Sequence, residues 1–192
     1  AMGAGNKIIP VQAGWRDKTD LIGHYNTFEK KFYEEETLQG LYEAQCPAFK
    51  DRLYIILLDE MNLSRPEQYF SEFLSALELE PKERNLTLMT TGQSGGPKLL
   101  DDGRVIKIPR NVWFIGTANL DETTFQFADK TLDRAHVMEL LRHKVDFKID
   151  KSLVPVTYSF SSLEKVFSKA CSKHQDKVKD LVKAMDKSEF LE

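Results

Sequence analysis

Two adjacent carboxylates close an otherwise apolar run, Tyr54-Ile55-Ile56-Leu57-Leu58-Asp59-Glu60. A continuous run of this kind predicts a strand buried on both faces of a parallel sheet. Ligands of open α/β sheets bind at the carboxyl ends of such strands. Two acids there need a reason, because unpaired buried charge is costly. Nucleotide hydrolysis supplies one: the first acid, Asp59, holds Mg²⁺ directly or through water, and the second, Glu60, orients and deprotonates the attacking water. The same residues also suit a strand that leaves the sheet through an acidic turn. A second run, Trp113-Phe114-Ile115-Gly116-Thr117-Ala118-Asn119, ends in an amide that suits a water or a γ-phosphate, or equally an Asx turn. A third group, Asp133-Arg134 after Thr131-Leu132, offers a guanidinium that suits developing phosphate charge or an ordinary surface ion pair.

The elements that must position these residues alternate. Residues 7–12 predict a strand, closed by Ala13-Gly14, and residues 15–26 read as a turn-rich loop. Glu34, Glu35 and Glu36 precede Leu38, Leu41, Tyr42 and Ala44, a helical spacing with acids at its positive end, closed by Pro47. Ser64, Pro66 and Glu67 give a helix start with capping-box spacing, and Phe70, Phe73, Leu74 and Leu77 form its apolar face up to Pro81. Residues 86–89 and 105–108 predict a β-hairpin with a flexible tip at 91–97. Residues 111–116 are a second buried strand, 132–135 a short helix and 137–140 a further strand. From Ser161 the chain is lysine-rich and helical, with Leu163, Val166, Phe167 and Ala170 on one face and Val178, Leu181, Val182 and Met185 continuing it. Strands alternating with helices predict an α/β fold with a mostly parallel sheet.

In this order the three groups resemble the core of an AAA+ ATPase, in the branch that holds the MoxR-type ATPases and the McrB-like motor of modified-cytosine restriction systems. Asp59-Glu60-Met61-Asn62 matches its Walker B, Gly116-Thr117-Ala118-Asn119 its sensor-1 strand, and Leu132-Asp133-Arg134 its arginine-finger region. The hairpin before the sensor strand and Asp20-Leu21-Ile22-Gly23 are also similar. The resemblance covers residues 7–141. It implies a three-layer αβα P-loop NTPase-like core, incomplete on its N-terminal side, with a β-hairpin insertion. The helical segment 151–192 is then the start of a lid or an insertion. It makes Asp59 the Mg²⁺ ligand, Glu60 the general base and Asn119 the sensor that places water near the γ-phosphate. Arg134 would act in trans on a neighbouring subunit's nucleotide, and Asn62 would stand beside the base among the nucleotide-binding residues. Arg65, at the next helix start, suits a neighbour's surface but reads better as a solvated arginine. The implied cofactors are ATP or GTP with Mg²⁺. The implied partners are ring-forming copies of the chain and a nuclease or substrate protein.

A phosphate loop, Gly-x4-Gly-Lys followed by Ser or Thr, is absent from the sequence. Residues 92–98 only imitate one, with Pro97 in place of the second glycine and Leu99 where the Mg²⁺ hydroxyl belongs. The expectation is therefore the Walker B and sensor half of a ring-forming nucleoside triphosphatase, inactive by itself and without firm nucleotide binding. The alternative is a degenerate domain serving as a non-catalytic protein-interaction module. In the family's strand order, 5-1-4-3-2, the absent strand lies beside residues 111–116. That edge is then expected to be covered by residues 137–140, by the segment after Lys151, or by exchange between two copies. Ala1-Met2-Gly3-Ala4-Gly5 reads as a cloning scar, leaving 6–150 as the partial core.

Composition narrows the rest. With 41% hydrophobic and 30% charged residues among 192, a folded core is expected. A net charge of −3 gives no case for bulk nucleic-acid binding, and the C-terminal lysines read as a solvated helix face. The four histidines have no metal-ligand spacing, and no nucleophile elbow occurs. Two cysteines build no disulfide framework, which points to a reducing, cytoplasmic setting. No apolar run approaches the roughly 18 residues of a membrane span.

Overall fold

The computed structural model describes residues 3–89, 95–119, 124–140 and 157–185. In chain order the elements are β1 (Gly5–Pro10), α1 (Lys18–Ile22), β2 (Gly23–Asn26), β3 (Lys31–Glu34), α2 (Glu36–Gln45), β4 (Tyr54–Asp59), a 3₁₀ turn (Met61–Leu63), α3 (Pro66–Tyr69), α4 (Ser71–Glu78), β5 (Asn85–Thr87), β6 (Val105–Lys107), β7 (Val112–Gly116), α5 (Asp129–Leu132) and α6 (Phe160–Met185). The α/β class and the parallel sheet are as the alternation predicts. The sheet has the order β1-β4-β7, with both pairs parallel.

The register sorts the sheet into two unlike faces. Lys7 lies opposite Ile56 and Ile56 opposite Phe114, so these share one side with Ile9, Tyr54, Leu58 and Val112. Ile9, Tyr54, Ile56, Leu58 and Val112 are all buried. Helix α2 packs there through Gly40, where a Cβ would come to 3.2 Å from the Lys7 side chain and 3.5 Å from that of Ile56. Phe70 and Phe73 meet Phe114 edge-on at 5.3 and 5.2 Å between ring centres. The other face carries Ile8, Ile55, Leu57, Trp113 and Ile115, again in register. Ile8 is 59% exposed, Trp113 38% and Ile115 41%. Among the described residues, α6 alone is seen to pack on it, by Phe167 against Trp113 at 5.4 Å. The expectation of burial on both faces of β4 is corrected accordingly. Its residues alternate between buried and half-buried, and the second helical layer reduces to that one contact.

Other expectations need adjusting. Residues 15–26 are not a loop: Asp17 caps α1 by accepting from Thr19 N, with Asp20 reciprocating in a capping box. β2 and β3 form an antiparallel hairpin, turned by Asn26 Oδ1 accepting from Phe28 and Glu29 N–H groups. Ser64 does not cap a helix. Its hydroxyl donates to Gln12 O and accepts from Gly14 N, tying the residues after β1 to those after β4. The single helix expected over 64–77 is two, α3 and α4, meeting at Phe70, with Pro66 at the first turn of α3. The hairpin β5–β6 is as expected, Asn85 facing Lys107. Residues 137–140 form no strand. Val137, Met138 and Leu140 are 62–94% exposed, and the short helix α5 ends at Leu132 instead of beginning there. Four residues with alternating apolarity become a strand only with an edge to join, and they do not join β7. Gly5, set aside as a scar residue, opens β1 and donates to Leu53 O at 3.0 Å. Residues 91–94 of the hairpin tip expected at 91–97, and the expectations for residues 1–2, 141–156 and 186–192, lie outside the described residues.

Candidate active site at the carboxyl ends of β4 and β7

Parallel pairing carries Asp59 and Thr117 to the same edge. β4 ends on Asp59, and Thr117, just past β7, donates its amide to Leu58 O at 3.0 Å. The Thr117 hydroxyl then bridges the acid pair: it donates to Asp59 Oδ1 at 2.6 Å and accepts from Glu60 N at 2.9 Å. Thr117 O accepts from Met61 N at 2.7 Å, which closes the crossing. Gly116 makes room for it, since a Cβ there would lie 2.5 Å from Met61 Sδ.

Glu60 adopts φ 53° and ψ 48°, a left-handed conformation that few non-glycine residues hold. The turn lifts its carboxylate out of the strand line and into solvent. There Oε1 lies 3.5 Å from the Asn119 amide, at the outer limit of a hydrogen bond. Asp59 is half-buried; Glu60, Thr117 and Asn119 are exposed. Three expected site residues thus meet at one open sheet edge.

Asn62 is fully buried and sits beneath this group. Its amide donates to Asn119 O at 2.8 Å and Phe125 O at 3.2 Å, and its own carbonyl accepts from Phe125 N at 2.9 Å. Its place is that of a clamp on the residues after β7, with its amide nitrogen committed to protein. Tyr69 supports the same turn from below by donating to Met61 O at 2.9 Å, and burial pushes its phenol well above the ordinary range. Arg65 is exposed, as a solvated arginine should be, and its guanidinium also lies over the Phe125 ring at 5.0 Å.

Arg134 is not brought to the acid pair. Its Nε lies 2.9 Å from Glu78 Oε1, at the far end of α4. It lines an open cleft of about 320 Å³ with Leu74, Leu77, Asp133 and His136. The residue that sequence reasoning leaves without a role is Thr117. Its signal is a hydroxyl one position past an apolar strand, level with the acids on the neighbouring strand.

Asp59 and Thr117 offer oxygen donors of the kind Mg²⁺ takes. No group of three or more acidic, histidine or cysteine side chains that could hold a metal occurs among the described residues. The donor set therefore fits a Mg²⁺ that arrives with phosphate and water ligands, not one held by protein alone. Among the described residues no helix is long and apolar enough to cross a membrane. No protein-family model matches the chain, and no curated protein matches it.

Proposed function

We propose that this chain is the acid-pair and sensor half of an AAA+-type nucleoside triphosphatase that works as a ring. The observation that carries the reading is the Thr117 hydroxyl held between Asp59 and the Glu60 amide, with Asn119, three residues past the adjacent strand, facing Glu60. A purely structural acidic turn has no need of a neighbouring strand that organises both acids and adds a polar side chain opposite them. In the mechanism Asp59, oriented by Thr117, is the residue that would hold Mg²⁺, which supplies charge neutralisation on the phosphates when bound. Glu60 accepts the proton of the attacking water, and Asn119 donates to that water or to the γ-phosphate. On this reading Arg134, at a separate surface cleft, serves a neighbouring copy. The reading requires a phosphate-binding loop that these 192 residues do not contain, with ATP or GTP as substrate.

The test is a titration of the ¹⁵N-labelled chain with Mn²⁺ and ATP. The amides of Glu60, Thr117 and Ala118 are expected to broaden first, and Asp59→Asn to abolish the effect. The chain alone is expected to show no specific hydrolysis. In a polypeptide that also carries a phosphate loop, Glu60→Gln is expected to stop turnover while nucleotide stays bound. Broadening away from these amides sinks the proposal. The bare sheet face favours a second reading, a non-catalytic interaction module, for which Asp59→Asn and Glu60→Gln change nothing measurable.

A further inference from the structure

The sheet face with Ile8, Ile55, Leu57, Trp113 and Ile115 and the helix α6 share one problem. Each presents apolar surface that the described residues leave largely open. They already touch: Phe167 packs on Trp113, and Glu164 pairs with Arg110 beside it. The N-terminus of α6 is fixed to the same end of the sheet, with Phe160 and Ser161 amides donating to Asp51. Beyond that anchor the helix departs. Every residue from Lys165 to Asp180 is exposed, including Val166 at 66% and Val178 at 43%. Its 26 residues span about 39 Å at 1.5 Å each. The five residues of β7 span only about 16 Å. A continuous helix that overshoots the sheet cannot turn back to cover its own face.

We propose that a second copy of this chain covers that face, each copy laying the outer part of its α6 across the other's bare sheet. The occupant's stripe is continuous with the contact already present. Phe167, Ala170, His174 and Val178 follow at helical spacing, so a surface that matches Trp113 in one copy continues toward the same surface in the next. The charges agree. Lys177 borders the stripe, with Lys173 one turn before it on the same side. The bare face ends at Asp59, which alternates onto it after Ile55 and Leu57, with Glu60 next. The arrangement is isologous and closes at two copies, and reciprocity doubles the buried area toward the roughly 1,200–2,000 Å² of specific interfaces. It brings the partner's lysines toward the acid pair but rests on no nucleotide chemistry there.

Light scattering on the full 192-residue chain tests it. A dimer is expected at about 100 μM, with dissociation at least tenfold easier in Val178→Glu. Val178 is on an exposed helix surface, so circular dichroism is expected to show the fold kept in that variant. A mixing experiment fixes the geometry. One copy carries Ile115→Cys with Cys46→Ser and Cys171→Ser; the other carries Cys46→Ser and keeps Cys171, which is exposed and four residues past Phe167. A disulfide between unlike copies is expected under mild oxidation. A chain that is monomeric at this concentration overturns the proposal, whatever covers Trp113. So does a dimer indifferent to Val178→Glu that forms no mixed disulfide, since it associates through another surface.

Discussion

Glu60 holds a left-handed backbone at φ 53°, which costs a side-chain-bearing residue about 1–2 kcal/mol. Strain of this kind persists where surrounding bonds over-determine it, here the Thr117 hydroxyl on its amide and the Met61 amide on Thr117 O. Glu60→Gly is therefore expected to raise the urea midpoint, by about 0.5–1 kcal/mol in stability, while removing the carboxylate from the site. Glu60→Gln, which keeps the strain, is expected to leave the midpoint unchanged. Thr117→Ser retains a hydroxyl that bridges Asp59 and Glu60, whereas Thr117→Val keeps the β-branch and loses it. The valine variant is expected to lose about 1 kcal/mol and the Mn²⁺ response of the Glu60 amide, with serine restoring the response. Asn62 differs from both because it is buried. Asn62→Ala removes the donor shared by Asn119 O and Phe125 O, leaving Asn119 O its Thr124 hydroxyl, and a loss of about 1–2 kcal/mol is expected in the same unfolding measurement.

At the scale of elements, β4 is joined to α2 and β1 by a polar contact outside the site. Tyr54 donates its phenol to Glu43, and Lys7 stands 3.3 Å from the same carboxylate. The Tyr54 hydrogen bond, then Lys7, hold Glu43 below its ordinary value of 4.5. Burial and the Glu43 contact raise Tyr54 above its ordinary 10.0. A carboxylate with a depressed folded value stabilises the protein above about pH 4.5, and that contribution disappears as pH falls through the folded value. A phenol with a raised value stabilises below about pH 10, and loses that contribution at higher pH. Stability measured by urea is expected to fall below pH 4.5, and Glu43→Gln to flatten that limb without touching the site. Much at this scale is legible in sequence. The apolar run before Asp59-Glu60 marks β4, and the paired apolar runs around 85–108 mark the β5–β6 hairpin. The Asp17–Asp20 spacing that caps α1 is equally legible, but turn-forming residues around it hide a helix of five residues. The failure at 137–140 has another cause. Strand formation there depends on a free edge elsewhere in the fold, and no local pattern reports whether that edge is taken.

At the scale of the molecule, the uniform apolarity of β4 conceals an asymmetry. Ile55 and Leu57 are as apolar as Ile56 and Leu58, so composition predicts two equal faces, while packing gives α2, α3 and α4 to only one. The sheet and α6 should consequently differ in local stability. An isolated helix is marginal in water, and among the described residues α6 is tied down by Asp51, Arg110 and Trp113 near its start. Amides of residues 55–58 lie within a paired central strand and are expected to exchange with solvent only on global unfolding. Amides of residues 171–180 are expected to exchange near the open-chain rate in dilute solution, where nothing described covers them. If a second copy supplies the cover, mass action links their protection to protein concentration, and protection should rise with concentration while that of residues 55–58 stays constant. Hydrogen exchange at two protein concentrations measures both at once. Protection of 171–180 that is high and independent of concentration would place the stabilising contact within one chain.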